Sequence, residues 1–226
     1  MDLSGKRHII TTNDGSHSLL VPDLNEQYHS IHGAKQEAEH VFLKMGLDGF
    51  CKANTTAKSI SILEIGFGTG LNALLSAHWA RIKNISLDYT TIEKYPVSQE
   101  EFSQLNYGDL LGDNPLYKKI TTCSWEKFVE LSSYFKIRKV EIDLISDDLN
   151  YGFDVVFFDA FAPNKQPKLW EIEIFKKIFN SMRNGGVLVT YCCQGQARRN
   201  MISAGFEVEK VPGPPGKREM LRAKKI

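Results

Sequence analysis

The chain has 226 residues, 42% hydrophobic and 24% charged, with 28 basic against 27 acidic side chains and a net charge of +1. That composition suits one large globular domain, or a domain with an appendage, and excludes a protein that grips nucleic acid through net charge alone. No apolar run approaches the roughly 20 residues that a membrane-spanning helix needs, and the cysteines (Cys51, Cys123, Cys192, Cys193) form no C-x-x-C pair of the kind that zinc or redox chemistry uses.

The polar opening Met1–Arg7 lacks a signal-peptide core, so a reduced, cytoplasmic protein is expected. Ile9 to Thr12 and Ser18 to Val21 flank Asn13-Asp14-Gly15-Ser16, a hairpin signal because Asp-Gly tolerates the positive φ of a tight turn. After Tyr28-His29-Ser30, the residues Ala34, Ala38, Val41, Phe42 and Met45 share one face at helical spacing. Asp48 to Ser59 reads as a linker. Residues 1–58 are thus expected to form an N-terminal appendage that packs on, and partly roofs, a second unit of residues 59–226.

From Ile60 the pattern becomes strand, helix, strand. Ile60-Ser-Ile-Leu-Glu64-Ile-Gly66-Phe-Gly68-Thr-Gly70-Leu71-Asn72 is a β-type run, a glycine turn and a helix start. Such glycines let the chain turn sharply and let a ligand approach the backbone. A dinucleotide fingerprint, G-x-G-x-x-G, would need glycine where Leu71 stands, which disfavours a dehydrogenase. Glu64 adds a carboxylate at the strand tip. It would repel a pyrophosphate and suits a cationic amine such as the methionine end of S-adenosylmethionine.

The helical stripe Leu71, Leu74, Leu75, His78, Ile82 precedes a strand from Leu87 to Ile92 that ends in Glu93. Pro96 opens a helix carrying Phe102 and Leu105. Residues 106–123 read as a loop and Trp125 to Phe135 as a helix. Val140 to Ile145 reads as the third strand, ending in Ser146-Asp147-Asp148. Phe153 to Phe158 is a near-continuous apolar run that suits a central parallel strand and ends in Asp159. Pro167 leads a helix to about Met182, Asn184-Gly185-Gly186 stops it, and Val187 to Cys192 is the fifth strand. A helix from Gln196 to Ala204 and two closing strands, Phe206 to Val211 and Glu219 to Ala223, complete the pattern. Repeated βα units imply an α/β, doubly wound, mostly parallel sheet that binds ligands at the carboxyl ends of its strands.

Four strand ends carry a carboxylate: Glu64, Glu93, Asp148 and Asp159. Glu93 stands where an acidic residue would take both hydroxyls of a ribose. Asp148 stands where an acceptor could meet an adenine amino group. Asp159 lies where the most apolar strand meets the cleft, and an amine substrate would give its carboxylate a donor. The alternative for these groups is helix capping or solvation, with Asp159 and Asn164 forming an N-cap network. Lys217 and Arg218 follow the Pro-Gly turn 212–216 and could meet RNA phosphates, although a charge run is equally a solvated tail. The histidines make no convincing metal set.

Glu64-Ile-Gly-Phe-Gly-Thr-Gly-Leu-Asn72, Asp159-Ala-Phe-Ala-Pro163 with Pro167 and Trp170, and Ala204-Gly-Phe206 with Gly216-Lys-Arg-Glu-Met220 resemble the MnmC-type tRNA methyltransferases. Asp14-Gly-Ser16, Tyr28-His-Ser30 and Glu39-His-Val-Phe42 extend the resemblance over most of the chain. The glycine motif alone marks only a class I methyltransferase; the Asp-Ala-Phe-Ala-Pro and Lys-Arg-Glu-Met segments are more specific.

The resemblance implies a seven-stranded Rossmann-like sheet and S-adenosyl-L-methionine as donor. The acceptor would be 5-aminomethyl(-2-thio)uridine at the tRNA wobble position, in the anticodon region. It implies Glu64, Gly66, Gly68, Gly70, Glu93 and Asp148 around the donor and Asp159 at the transfer site. Tyr28, His29, Phe161, Pro163, Lys217 and Arg218 are expected on the acceptor side. Bifunctional members carry an FAD-dependent oxidoreductase domain for which 226 residues leave no room. The aminomethyl intermediate is therefore expected from another protein or route, and neither metal nor membrane is expected to take part. Rival readings are a methyltransferase for another RNA base or a small amine, an aminopropyltransferase, and a non-catalytic RNA-binding adaptor.

Overall fold

A computed structural model describes residues 7–226; the first six, part of the polar opening, lie outside the described residues. Strands β1 (His8–Thr11), β2 (His17–Val21) and β3 (Glu26–Gln27) form a small antiparallel sheet. The Asp14-Gly15 turn closes its hairpin, with Gly15 at φ 82° and Asp14 accepting from the Ser16 and Gln36 amides.

The helical segment that follows is longer than its apolar spacing suggests. It runs from α1 (Ala34–Ala38) through a π-helical stretch (Glu39–Leu47) into α2 (Asp48–Ala53), so the first half of the expected linker is helix. The wide π turn lets Gly46 lie against Phe157 and Val189, where an added Cβ would be about 3.1–3.2 Å from their side chains. Phe42 packs on Phe157 with ring centroids 5.0 Å apart. Ala34, Ala38, Val41, Phe42, Leu47 and Phe50 thereby join the same apolar core as Ile60 and Ile62.

Among the described residues the main sheet has eight strands, one more than expected. They are β4 (Ser59–Ile65), β5 (Ser86–Glu93), β6 (Val129–Ser132), β7 (Phe135–Glu141), β8 (Phe153–Phe158), β9 (Met182–Thr190), β10 (Glu207–Pro212) and β11 (Glu219–Lys224), in the spatial order β10-β11-β9-β8-β4-β5-β7-β6. The five central strands are parallel; the β6, β10 and β11 pairings are antiparallel. The chain leaves β4 toward β5 and β7, then returns to β8 on the other side. The carboxyl ends of β4 and β8 therefore flank a topological switch point, where open α/β sheets bind ligands.

Helix α3 (Leu71–Lys83) starts at Gly70, at φ 74°, and ends at Asn84 in the left-handed region. Leu71, Leu74 and Leu75 are buried, but Ile82 is 73% exposed and leaves the stripe. The remaining helices are α4 (Gln99–Gln104), opened by a Ser98/Glu101 capping box, α5 (Tyr107–Leu110), α6 (Asn114–Thr122), α7 (Ile172–Ser181) and α8 (Gly195–Ser203). Two of them, α5 and α6, occupy the stretch expected to be a loop. Pro167 opens a short 3-10 turn, Pro167–Trp170, ahead of α7.

The segment 125–145 differs most from expectation. Instead of a helix followed by a strand, β6 and β7 form a hairpin, and the third parallel strand ends at Glu141 rather than Ile145. The inward face of β7 is Phe135, Ile137 and Lys139. A fully buried lysine breaks the apolar alternation that would have marked the strand. Lys139 is held there because its ammonium donates to the carbonyls of Ile120 (3.1 Å) and Thr121 (2.9 Å) in the last turn of α6, where the helix dipole favours a cation. Its Nζ also lies over the rings of Phe67 and Trp125, 5.4 and 5.1 Å from their centroids.

Candidate active site

A cleft of about 680 Å³ opens at the switch point. Its floor is the glycine turn. Gly66 donates its N–H to Ile92 O at 2.9 Å, and Asp159 donates its own to Ile65 O at 3.0 Å, so the ends of β4, β5 and β8 are stitched together. Gly66 sits at φ 92°, and a Cβ there would meet the Asp159 carbonyl at 2.8 Å; only glycine permits that approach. Gly68, at φ 50°, lies under the Tyr28 ring.

Glu93 lines the cleft at the end of β5. Its carboxylate accepts from the amides of Gly68 (3.1 Å), Lys94 (2.9 Å) and Tyr95 (2.9 Å), which fixes the glycine turn against the second strand. Ile92, Ile142 and Leu144 supply the apolar lining on that side.

Asp159 faces the cleft from the end of β8, and Asn72 Nδ2 donates to its Oδ2 at 2.8 Å. Burial pushes this carboxyl up to about 7, the Glu37 carboxylate adds to the rise, and the Asn72 amide and Lys217 ammonium pull against it. The loop behind is rigidly held. Tyr191 Oη donates to Ala160 O at 2.9 Å, Trp170 Nε1 to Phe161 O at 2.8 Å, and the Phe161 amide to Gln166 Oε1 at 3.0 Å.

The segment Glu26 to Ser30 roofs the cleft. Tyr28 meets Phe161 edge to face, with centroids 5.1 Å apart. His29 shares a hydrogen bond with Ser18 Oγ at 2.9 Å, and packing around the ring pushes its imidazole down to about 4, so it is neutral at pH 7. Lys165 donates to Leu24 O at 2.7 Å, and Arg7 donates to Tyr95 O at 3.0 Å beside its ion pair with Glu101. Lys217 pairs with Glu37 at 2.7 Å, and its Nζ lies 4.2 Å from the Tyr191 ring centroid.

The cleft thus gathers Gly66, Gly68, Glu93, Asp159, Tyr28, His29, Phe161 and Lys217. Five other expected residues are placed differently. Asp148 is exposed and borders a separate small cavity with Arg138 and Phe153, because β7 ends four residues earlier than the apolar run suggested; Asp143, paired with Lys94, lines the cleft instead. Glu64 is 0% exposed and lies beneath the floor, on the α3 side of β4, so it does not reach the cleft. Gly70 caps α3 away from the lining, packed on Phe67, and Pro163 and Arg218 are also outside it. Lys217 is turned inward to a carboxylate rather than outward to solvent.

Sequence reasoning missed Glu37, Asp143, Lys165 and Tyr191. Tyr191 had a usable signal, standing one residue past the end of β9, on the sheet edge that carries Asp159. Glu37 had none, since its place depends on the appendage folding over the sheet. Among the described residues, no cluster of His, Cys, Asp and Glu could hold a metal ion, and no helix is long and apolar enough to cross a membrane.

A family model described as S-adenosyl-L-methionine-dependent methyltransferase matches residues 119–226. The tRNA 5-methylaminomethyl-2-thiouridine biosynthesis bifunctional protein MnmC of Cupriavidus metallidurans is 30% identical over 230 residues, covering 95% of this chain and 33% of that protein. The protein of the same name from Nitrosospira multiformis is 32% identical over 211 residues, covering 86% and 33%. The chain therefore spans about a third of the length of the curated relatives it matches. Among solved structures, MNMC2 from Aquifex aeolicus superimposes with a TM-score of 0.75 at 24% identity, covering 98% of this chain and 71% of that one. The chain is similar to the methyltransferase part of the MnmC-type proteins, and its sheet has the class I S-adenosyl-L-methionine-dependent methyltransferase fold.

Proposed function

We propose that this protein transfers a methyl group from S-adenosyl-L-methionine to the primary amine of 5-aminomethyl(-2-thio)uridine at the wobble position of tRNA. The observation that carries the reading is Asp159, an acceptor group held by Asn72 at the cleft, beside a glycine turn that admits a ligand to the backbone. The names of the relatives, all tRNA 5-methylaminomethyl-2-thiouridine biosynthesis proteins, support the acceptor.

The cleft fits such a donor. Its volume lies within the few hundred to 1,000 Å³ typical of small-molecule sites. The Gly66–Gly68 backbone, the Glu93 carboxylate and the apolar Ile92, Ile142 and Leu144 offer a turn, a ribose acceptor and a flat apolar wall. When bound, the donor supplies an electrophilic methyl on a sulfonium, a good leaving group. This chain's own part is to position and desolvate. Asp159 accepts a hydrogen bond or proton from the acceptor amine, which must be neutral to attack, and aims its lone pair. Tyr28 and Phe161 exclude water from above, and neutral His29 adds no charge to repel an ammonium. Lys217 restrains the Asp159 carboxyl. Exposed Arg218 remains for anticodon phosphates, with the wobble base splayed out of its stack.

In this reading residues 1–58 form the roofing appendage and 59–226 the methyltransferase domain, and an FAD-dependent oxidoreductase activity elsewhere supplies the aminomethyl intermediate. The test is transfer of labelled methyl to tRNA from cells lacking the final methylation. Calorimetric titration with S-adenosyl-L-methionine alone separates an enzyme from an RNA-binding adaptor. Donor binding without transfer to that tRNA would sink the acceptor assignment.

A further inference from the structure

Beneath the cleft floor lies a buried polar cluster that the transfer reaction does not use directly. Both carboxyl oxygens of Glu64, the Asn72 Oδ1, and the hydroxyls of Ser76, Tyr89 and Thr91 are shielded from solvent, and none closes a well-aligned hydrogen bond, though Thr91, Tyr89 and Asn72 stand close enough to the Glu64 carboxyl to pull against the rise that burial gives it. Strand register explains their meeting: Glu64 pairs with Thr91 and Ile62 with Tyr89 across β4 and β5, while Asn72 and Ser76 lie one turn apart on α3. The cluster is joined to the site through Asn72, whose Nδ2 is committed to Asp159.

That commitment fixes the carboxamide. Where Asp159 is a carboxylate it only accepts, so Nδ2 faces it and Oδ1 points into the cluster, where the groups able to donate to it are the hydroxyls of Ser76, Tyr89 and Thr91 and a protonated Glu64. An ionised Glu64 has no proton to give. It would also stand fully buried with no cation in contact and a second carboxylate nearby, an arrangement in which one carboxyl keeps its proton. The groups facing it are Asn72 and Ser76 on α3, Tyr89 and Thr91 on β5 and the apolar Phe157 paired with it on β8, with Asp159 beyond; none is cationic.

We propose that Glu64 is a positioning residue that stays protonated and donates to the Asn72 carboxamide, locking that amide onto Asp159, rather than a ligand of the donor's amine. The inference rests on the methyl-transfer reading for its kinetic arm only. Glutamine at position 64 supplies an N–H donor of the same reach, whereas methionine fills the space without one.

Three measurements decide it. In the infrared at neutral pH, Asp159→Asn, which removes the other part-protonated carboxyl of the site, still shows the carbonyl stretch of a protonated carboxyl, and that band disappears when Glu64→Gln is added. Titration with S-adenosyl-L-methionine gives the same affinity for Glu64→Gln within about threefold, because no charged contact is lost. In single-turnover transfer, Glu64→Met loses about tenfold or more in rate and shifts the pH midpoint, and Glu64→Gln restores most of the loss. A tenfold weaker donor affinity in Glu64→Gln would make Glu64 a donor ligand and overturn the proposal. So would an unchanged infrared spectrum, or a Glu64→Met enzyme with wild-type rate and pH profile. Should Glu64→Met fail to fold, the first two measurements still decide. Failure of the wild type to methylate the tRNA would refute the acceptor reading while leaving the infrared result to stand or fall alone.

Discussion

Replacing Asp159 with asparagine removes a charge and a proton acceptor while keeping the shape of the side chain. The structure sets the size of the effect. With its carboxyl raised from 3.8 to about 7, Asp159 is about one-tenth ionised at pH 6 and about nine-tenths ionised at pH 8. The acceptor amine titrates too, so the useful quantity is the ratio of wild-type to Asp159→Asn rates at each pH, in which that common titration cancels. The ratio should reach the order of a hundred at pH 8 and fall roughly tenfold by pH 6. The assay is single-turnover transfer of labelled methyl to unmethylated tRNA at saturating donor. A ratio near one throughout removes Asp159 from the reaction, and a large but pH-independent ratio removes its role as proton acceptor. Stability gives a second reading. The folded value lies above the unfolded one, so between pH 4 and 7 the unfolded carboxyl has lost a proton that the folded one keeps. Wild-type stability therefore falls with rising pH over that window. A three-unit shift caps the fall at about 4 kcal/mol, and the side chain's opening onto the cleft makes it smaller. Urea unfolding of Asp159→Asn should show the fall reduced.

Gly66→Ala would push a Cβ to 2.8 Å from the Asp159 carbonyl at φ 92° and should cost on the order of 2–4 kcal/mol; an unchanged thermal midpoint would contradict the close approach. Glu93→Ala frees three backbone amides and removes the proposed ribose acceptor, so donor affinity measured by calorimetry should fall about tenfold or more; undiminished heat and affinity would place the ribose elsewhere. Lys217→Met removes a cation that holds the Asp159 carboxyl down, so the rate midpoint should move to higher pH, read from the same single-turnover series; a midpoint that stays or drops would uncouple the two. Ser98→Ala breaks the capping box of α4 and should cost about 1 kcal/mol in urea unfolding, with donor affinity intact.

The chain's local order announced the α/β class and the heart of the cleft. The turn from Gly66 to Gly70, the apolar run into Asp159 and the acidic end of β5 at Glu93 are features a few residues long. Their chemistry is fixed by backbone freedom and hydrophobic pattern alone. Where a long-range contact outweighed local preference, the pattern misled. Buried Lys139, satisfied by the carbonyls ending α6, hid β7 and with it the replacement of Asp148 by Asp143 at the strand tip. Glu64 stands at a strand tip in sequence, yet strand alternation and the cover of α3 place it under the floor rather than in the cleft. Glu37 and Lys217, 180 residues apart, meet only because the amino-terminal helix folds across the sheet edge. Period and turn chemistry are local and legible; the partner of a buried charge is set by packing between distant segments, and only the assembled fold contains it.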